Sequence, residues 1–128
     1  EIENYLDLKE LTYQVKNLTN CSPEEIIDHY AEIDISVGMR GHSQMIPFGL
    51  NKPIISLISH DKLKFFLEDI ELEEFGIDLT KSDIKIKFNS ILNYYETNHK
   101  QIKDNLISKQ EKVWSETVHN FSIIKSIL

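Results

Sequence analysis

The stretch Pro53-Ile-Ile-Ser-Leu-Ile58 decides the fold, because it is an uninterrupted apolar run with the length of a single strand. A run of this kind is typical of a strand buried on both faces, as in parallel sheets covered by helices. Two more strands are predicted around it, one at Ile33-Asp-Ile-Ser-Val37 ending at Gly38, and a short one from Gly76 to Leu79. The alternating residues from Thr12 to Lys16 predict another short strand.

Helices are predicted before, between and after these strands. Ser22 and Pro23 form a start signal, because serine caps a helix and proline is tolerated in its first turn. The predicted helices are a tail at Glu1 to Leu11, then Ser22 to Glu32, Gly41 to Leu50, Lys62 to Ile70, Ser82 to Asn98 and Gln101 to Leu128. Pro47 predicts a kink or a later start in the third of these. The alternation predicts an α/β fold, a parallel sheet with helices on both faces followed by long carboxyl-terminal helices.

Apolar residues at helical spacing predict which side chains these helices turn inward. The inward positions are Ile26, Ile27, Tyr30, Met45, Ile46, Phe48, Leu50, Leu63, Phe66, Leu67 and Ile70. The last helix carries the same spacing along its whole length, at Ile102, Leu106, Val113, Val118, Phe121, Ile124 and Ile127.

Length and charge limit the class of protein. A chain of 128 residues fits a single domain, 1–128, with an α/β core at 1–98 and a carboxyl-terminal helix at 99–128. It opens at Glu1 inside what reads as ordinary domain sequence, so we expect a piece of a longer two-domain protein. A net charge of -7, with acidic residues spread along the chain, argues against nucleic-acid binding, which needs a basic stripe. A single cysteine, Cys21, and the lack of a signal peptide or membrane-spanning run predict a cytoplasmic protein.

The most chemically loaded stretch is Val37-Gly-Met-Arg-Gly-His-Ser-Gln44, which holds the only arginine of the chain, Arg40. A guanidinium group is a planar fork of donors that matches a carboxylate or a phosphate, and lysine cannot copy it. His42 stands two residues away, and histidine side chains in general exchange protons close to neutral pH. The pattern predicts a site for an anionic ligand, and its alternative is a single structural ion pair.

Two predicted loops belong to the same edge of the sheet. Residues 38–42 follow one strand and residues 59–62 follow the next, and the carboxyl ends of parallel strands meet at one edge. His60 and Lys62 therefore join Arg40 and His42 as candidates. Further candidates from the first turn of the following helix are Ser43 and Gln44 as ligand contacts, with Gly38 and Gly41 giving freedom to the backbone.

The same residues carry a resemblance to a known family. The block Asp34-Ile-Ser-Val-Gly-Met-Arg-Gly-His-Ser-Gln-Met-Ile-Pro-Phe-Gly-Leu50 resembles the strand, Arg-x-His and helix block of the polysaccharide pyruvyl transferases. Lys52-Pro-Ile-Ile-Ser-Leu-Ile58 resembles the next strand of that family. Ser59-His-Asp-Lys62, followed by Leu67-Glu-Asp69, resembles its downstream motif, in which a lysine opens a helix that ends in an acidic segment. The resemblance runs from about Ser22 to Leu79, under half of the chain.

This resemblance implies a two-domain enzyme of the GT-B type, with two Rossmann-like halves around a cleft, of which this chain is most of the carboxyl-terminal half. Such enzymes transfer the enolpyruvyl unit of phosphoenolpyruvate to a pair of sugar hydroxyl groups, which gives a pyruvate ketal on a surface glycan. The resemblance assigns donor binding to Arg40, general acid or base chemistry to His42 and a further contact to Lys62. It implies no metal and no cofactor. Gly41 departs from the family, which often has leucine there.

The implied partners are phosphoenolpyruvate, a glycan acceptor and the missing amino-terminal domain. A membrane-linked acceptor would place the protein peripherally at the cytoplasmic face of the membrane. Two alternatives stay open. One is the donor-binding half of a GT-B glycosyltransferase that uses a nucleotide sugar, for which Glu68, Asp69 and Glu71 are the candidate ribose contacts. The other is a non-catalytic scaffold in polysaccharide assembly, with the last helix as a docking surface.

Overall fold

The computed structural model describes Thr12 and residues 14–127, so the predicted helical tail of residues 1–11 lies outside the described residues. The elements, in chain order, are helix α1 (Pro23–Glu32), strand β1 (Ser36–Gly38), helix α2 (His42–Gly49), strand β2 (Ile54–Ile58), helix α3 (Asp61–Asp69), a 3₁₀ turn (Glu73–Phe75), strand β3 (Gly76–Asp78), helix α4 (Ile84–Thr97) and helix α5 (His99–Ile127). The predicted α/β fold is confirmed.

Within the described residues, the strands form one parallel sheet with β2 in the centre. The register places Gly38 of β1 opposite Ser56 of β2, and Ser56 opposite Gly76 of β3. Because side chains alternate along a strand, these small residues share one face of the sheet. A Cβ on Gly76 would lie 2.7 Å from Leu67 Cδ1, so α3 packs closely on that face.

The centre of the sheet is covered on both sides, as the apolar run in β2 predicts. Ile54 and Ile55 point to opposite faces, and both are completely buried. Tyr95 of α4 closes the core, since its Oη donates a hydrogen bond to the Ile54 carbonyl oxygen at 2.7 Å. Its ring also stacks on Phe75, with the ring centres 4.9 Å apart.

Pro47 lies inside α2, and the helix neither starts later nor breaks at this residue. Proline has no N–H to donate to the carbonyl oxygen four residues earlier, which belongs to Ser43. That oxygen instead accepts the Ser36 hydroxyl at 2.7 Å and Gln44 Nε2 at 3.0 Å. A side chain from β1 therefore replaces the missing backbone donor. The predicted later start is wrong, because a long-range contact compensates for the proline.

The amino-terminal half of α5 holds the far end of the domain together. Gln110 Nε2 donates to the Gly49 carbonyl oxygen at the end of α2. Lys109 and Lys112 form ion pairs with Glu71, just beyond the end of α3. Hydrogen bonds first from Lys112 and then from Lys109 lower the pKa of Glu71 to about 2. Helices α2 and α3 connect parallel strands and therefore run against the strand direction, so their carboxyl ends lie near the amino edge of the sheet. Because α5 contacts these ends, it also packs near the amino edge.

Several sequence expectations are corrected. Thr12 and residues 14–16 form no strand, so the strand predicted at Thr12 to Lys16 is wrong for the described part of that range. Strand β1 begins at Ser36 rather than Ile33, because only its last residues reach β2. The predicted inward side chains Ile27 and Met45 are exposed, since α1 and α2 bury a narrower side than the spacing implies. Four apolar residues of α5 are also exposed, because this part of the helix extends past the sheet: Val118, Phe121, Ile124 and Ile127.

Among the helices of residues 14–127, none combines the length and the apolar composition of a membrane span.

Candidate functional site

Arg40 and His42 lie at the carboxyl edge of the sheet. Strand β1 ends at Gly38, and α2 begins four residues later at His42. Both side chains are exposed. Among the described residues Arg40 forms no ion pair, so the structural ion-pair alternative finds no support in this part of the chain. The guanidinium and the imidazole are therefore accessible on one short segment.

Ser43 anchors this segment. Its hydroxyl donates to the Arg40 carbonyl oxygen at 2.7 Å and accepts a long hydrogen bond of 3.4 Å from the Arg40 N–H. Its own carbonyl oxygen accepts the Ser36 hydroxyl. The loop that carries Arg40 is thus tied through Ser43 to β1. The Ser43 hydroxyl serves this internal network, although the sequence suggests it as a ligand contact.

Gln44 lies beneath the edge rather than on it. The side chain is completely buried, and a Cβ added at Gly38 would lie 2.7 Å from its Nε2. Its Oε1 accepts no hydrogen bond within the described residues. The Oγ of Ser56, which is opposite Gly38 in the sheet, also has no hydrogen-bond partner there. The sequence places Gln44 in the first turn of α2 and suggests a ligand contact, whereas the structure turns it inward against β1.

The two glycines of the segment have different roles. Gly38 is required for space, because a Cβ there would lie 2.0 Å from Ser43 Oγ. Gly41 has φ -50° and ψ -52°, a helical conformation that every residue adopts. A Cβ on Gly41 would meet only Met45 Sδ, at 3.8 Å. The backbone at this position therefore does not need glycine, contrary to the expectation from the sequence. The absence of a side chain at Gly41 leaves space at the carboxyl edge.

His60 and Lys62 belong to the neighbouring loop. Strand β2 ends at Ile58, and His60 is the first residue before α3, with extended backbone and no hydrogen bond from its side chain to the helix end. His60 and Lys62 are both exposed. Since β1 and β2 are adjacent and parallel, the two loops lie side by side, as predicted.

Two helix amino ends at this edge favour an anion. The amino ends of α2 and α3 both face the edge, and each presents N–H groups and the positive end of a helix dipole. Arg40 and Lys62 add two formal positive charges, and Asp61 and Asp78, where β3 ends, supply two opposing charges. Hydrogen bonds from the Thr80 hydroxyl and N–H lower the pKa of the Asp78 carboxyl group and favour its charged form.

A large cavity lies elsewhere. It has a volume of about 610 Å³ and lies near the amino edge, between Asp34, Lys52, Tyr95, His99 and Lys103. None of the residues that the sequence predicts as a site lines it. The cavity and the predicted site residues therefore lie at opposite ends of the sheet. We place the candidate site by chemistry, because the helix ends, Arg40 and His42 converge at the carboxyl edge.

Within residues 14–127, no group of three or more His, Cys, Asp or Glu side chains is arranged to hold a metal ion. Comparison of the chain with models of protein families, with curated proteins and with solved structures gives no match.

The structure also reveals a supporting residue that the sequence does not single out. Ser36 reads as an ordinary polar residue within a strand, but it is buried and donates to the Ser43 carbonyl oxygen. The only local signal is Pro47, whose missing N–H requires that some other group satisfy this oxygen.

Proposed function

We propose that this chain is the donor-binding, carboxyl-terminal half of a polysaccharide pyruvyl transferase, which uses phosphoenolpyruvate to form a pyruvate ketal on a glycan. One observation carries the proposal. Arg40 and His42 are both exposed on an anchored segment at the carboxyl edge of the parallel sheet, where two helix amino ends point. The sequence resemblance supplies the reaction, and the position of these side chains supports it.

The donor matches this edge because phosphoenolpyruvate carries a carboxylate and a phosphate. Arg40 binds one of these groups through two parallel N–H donors. In this proposal the N–H groups at the start of α2 and the Lys62 ammonium group bind the other. The sugar hydroxyl groups that react carry no charge, so we expect the carboxyl edge to bind the donor rather than the acceptor.

The reaction requires one proton transfer to carbon. Protonation of the methylene carbon makes it a methyl group and leaves an oxocarbenium-like centre, which one sugar hydroxyl attacks. The second hydroxyl of the same sugar then replaces the phosphate, so two C–O bonds form and the bond to phosphate breaks. One hydroxyl proton ends on carbon, and the other leaves with inorganic phosphate. His42 is the proton-transferring group in this proposal.

The nucleotide-sugar alternative receives less support from the geometry. Its candidate acidic residues lie at the far end of α3, away from the carboxyl edge. Glu68 forms an ion pair with Lys64 at 3.6 Å, and Glu71 is paired with Lys109 and Lys112. A ribose contact needs an acidic side chain next to the bound donor, and Glu68 and Glu71 are engaged elsewhere.

Substitution of Arg40 tests donor binding. We expect the 128-residue chain to bind phosphoenolpyruvate saturably, with amide shifts of residues 38–43 in NMR titrations. Arg40→Ala removes a bidentate charged contact and should weaken binding about tenfold or more. Arg40→Lys should recover only part of this loss, because it restores the charge without the fork.

The matched control is Lys85→Ala, which removes an exposed cation from α4. It should leave binding unchanged. Equal losses in Arg40→Ala and Lys85→Ala would mean that only the overall charge matters, and would contradict the proposal. Saturable binding of a nucleotide sugar alone would support the glycosyltransferase, and binding of neither ligand would support the scaffold.

Substitution of His42 separates binding from chemistry. We expect His42→Ala to bind phosphoenolpyruvate within about twofold of the wild type, because a proton-transferring group contributes mainly to the transition state. In the complete two-domain protein the same change should abolish ketal formation, measured as release of inorganic phosphate in the presence of acceptor. Unchanged turnover would remove His42 from the mechanism.

A further inference from the structure

The carboxyl-terminal half of α5 presents apolar side chains that are exposed in the described part of the chain. In α5 the buried residues are Ile102 and Leu106, with Val113 partly buried beside the core. Beyond Val113 the apolar side chains are exposed, with Trp114 at 67%, Val118 at 49%, Phe121 at 67% and Ile124 at 53%. A contiguous exposed apolar surface of this kind marks a contact site. We call Trp114, Val118, Phe121 and Ile124 the α5 stripe.

Three of the four residues of the α5 stripe lie off the face that packs on the body, and Ile124 continues that face. At about 100° per residue, Trp114, Val118 and Phe121 lie roughly a quarter turn away from Leu106 and Val113. Trp114 and Phe121 are seven residues apart, and Thr117 and Ile124 repeat the same interval three residues later. This is the spacing of a two-helix coiled-coil seam.

We propose that the α5 stripe binds the α5 stripe of a second copy of this chain, with the two helices antiparallel. Charge selects this partner and this direction. Glu111 and Lys125 flank the stripe at equal distances from Val118, and neither forms an ion pair within the described residues. In an antiparallel pair centred near Val118, Glu111 of each copy lies beside Lys125 of the other, which gives two ion pairs.

A parallel pair would leave Glu111 and Lys125 without charged partners. In a parallel pair, Glu111 and Lys125 of one copy lie beside residues on the other side of the seam in the second copy. Those residues are Leu106, Val113 and Asn120, and none of them is charged. A lipid surface also fits poorly, because a membrane-surface helix carries many lysines and arginines on its polar face. Between residues 113 and 127 the only charged residues are Glu116 and Lys125, which cancel.

The length of the free helix fits the antiparallel overlap. The ion pairs and core packing of α5 on the body reach as far as Lys112, which pairs with Glu71, and Val113. Residues 111–127, about 25 Å of helix, can therefore lie side by side with the two α/β bodies at opposite ends. Such a contact buries on the order of 1,000 Å² in total, the low end of specific interfaces, so a weak, concentration-dependent dimer is expected.

Charge reversal tests the pairing by sedimentation equilibrium of the 128-residue chain. Wild type should dimerise, and Glu111→Lys or Lys125→Glu alone should weaken the dimer about tenfold, since each turns two attractions into repulsions. The double variant should return to within about twofold of wild type, because it restores both pairs with the signs exchanged. Glu116→Lys, on the opposite side of the helix, is the matched control and should change the dimer little.

Trp114 provides a second readout, because it is the only tryptophan of the chain. Its fluorescence should shift to shorter wavelength as the protein concentration rises, in step with the dimer fraction. A chain that stays monomeric, or a double variant that stays as weak as the single ones, would overturn the proposal. A monomer that binds lipid vesicles instead would also overturn it and assign the stripe to a membrane surface.

Discussion

Gly38→Ala should destabilise the fold by about 1–3 kcal/mol, because an added methyl group has no room where β1 meets α2. The new Cβ would lie 2.0 Å from Ser43 Oγ and 2.7 Å from Gln44 Nε2. Strand β1 cannot retreat, since Gly38 is paired with Ser56 in the sheet. The first turn of α2 must move instead, and it takes with it the hydrogen bonds that anchor the Arg40 loop.

The effect should be measured as the free energy of unfolding in urea, with the slope of the transition compared between variants. Gly49→Ala is the matched control. A Cβ at Gly49 would meet no atom within 4 Å, and alanine is favoured over glycine in a helix. We expect Gly49→Ala to be neutral or stabilising by up to about 1 kcal/mol. Equal stabilities of the two variants would show that the approach of α2 to β1 is looser than described.

Sequence pattern predicts the central part of this fold well. The apolar run in β2 and the helix start at Ser22 depend on local chemistry, and both are confirmed. In α1 the Ser22 hydroxyl accepts the Glu25 N–H, and Glu25 accepts the Ser22 N–H in return. The same local reasoning places Arg40 and His42 at the strand edge, because two successive strands end just before the two loops.

Features that depend on distant partners are not visible in the sequence. Proline normally breaks the interior of a helix because it lacks an N–H donor. At Pro47 the helix continues, because Ser36, eleven positions earlier, supplies the missing donor. The position of Gln44 in the first turn of α2 predicts a ligand contact. Its side chain turns inward instead, because Gly38 has no side chain to fill that space. Helical periodicity marks the apolar residues of α5 and cannot say whether they meet the same body or another surface.

Tyr95→Phe should destabilise the fold by about 1–3 kcal/mol at neutral pH, because it leaves the buried Ile54 carbonyl oxygen without its donor. The phenol is buried and donates to that oxygen at 2.7 Å. The ring itself remains, so its stacking on Phe75 is kept. The loss should therefore report the hydrogen bond between α4 and the central strand rather than a cavity.

The same variant should lose part of the alkaline instability of the wild type. Burial first, and the charge of Glu74 second, raises the pKa of Tyr95 above its ordinary value of 10.0. The folded state thus keeps a proton that the unfolded state releases, so this stability is complete below about pH 10 and falls as the pH rises above it. Urea unfolding at pH 7, 9.5 and 11 should show a steeper decline for wild type than for Tyr95→Phe. Tyr94→Phe, on the exposed neighbour, should decline like wild type; if it flattens the curve equally, burial of Tyr95 is not the cause.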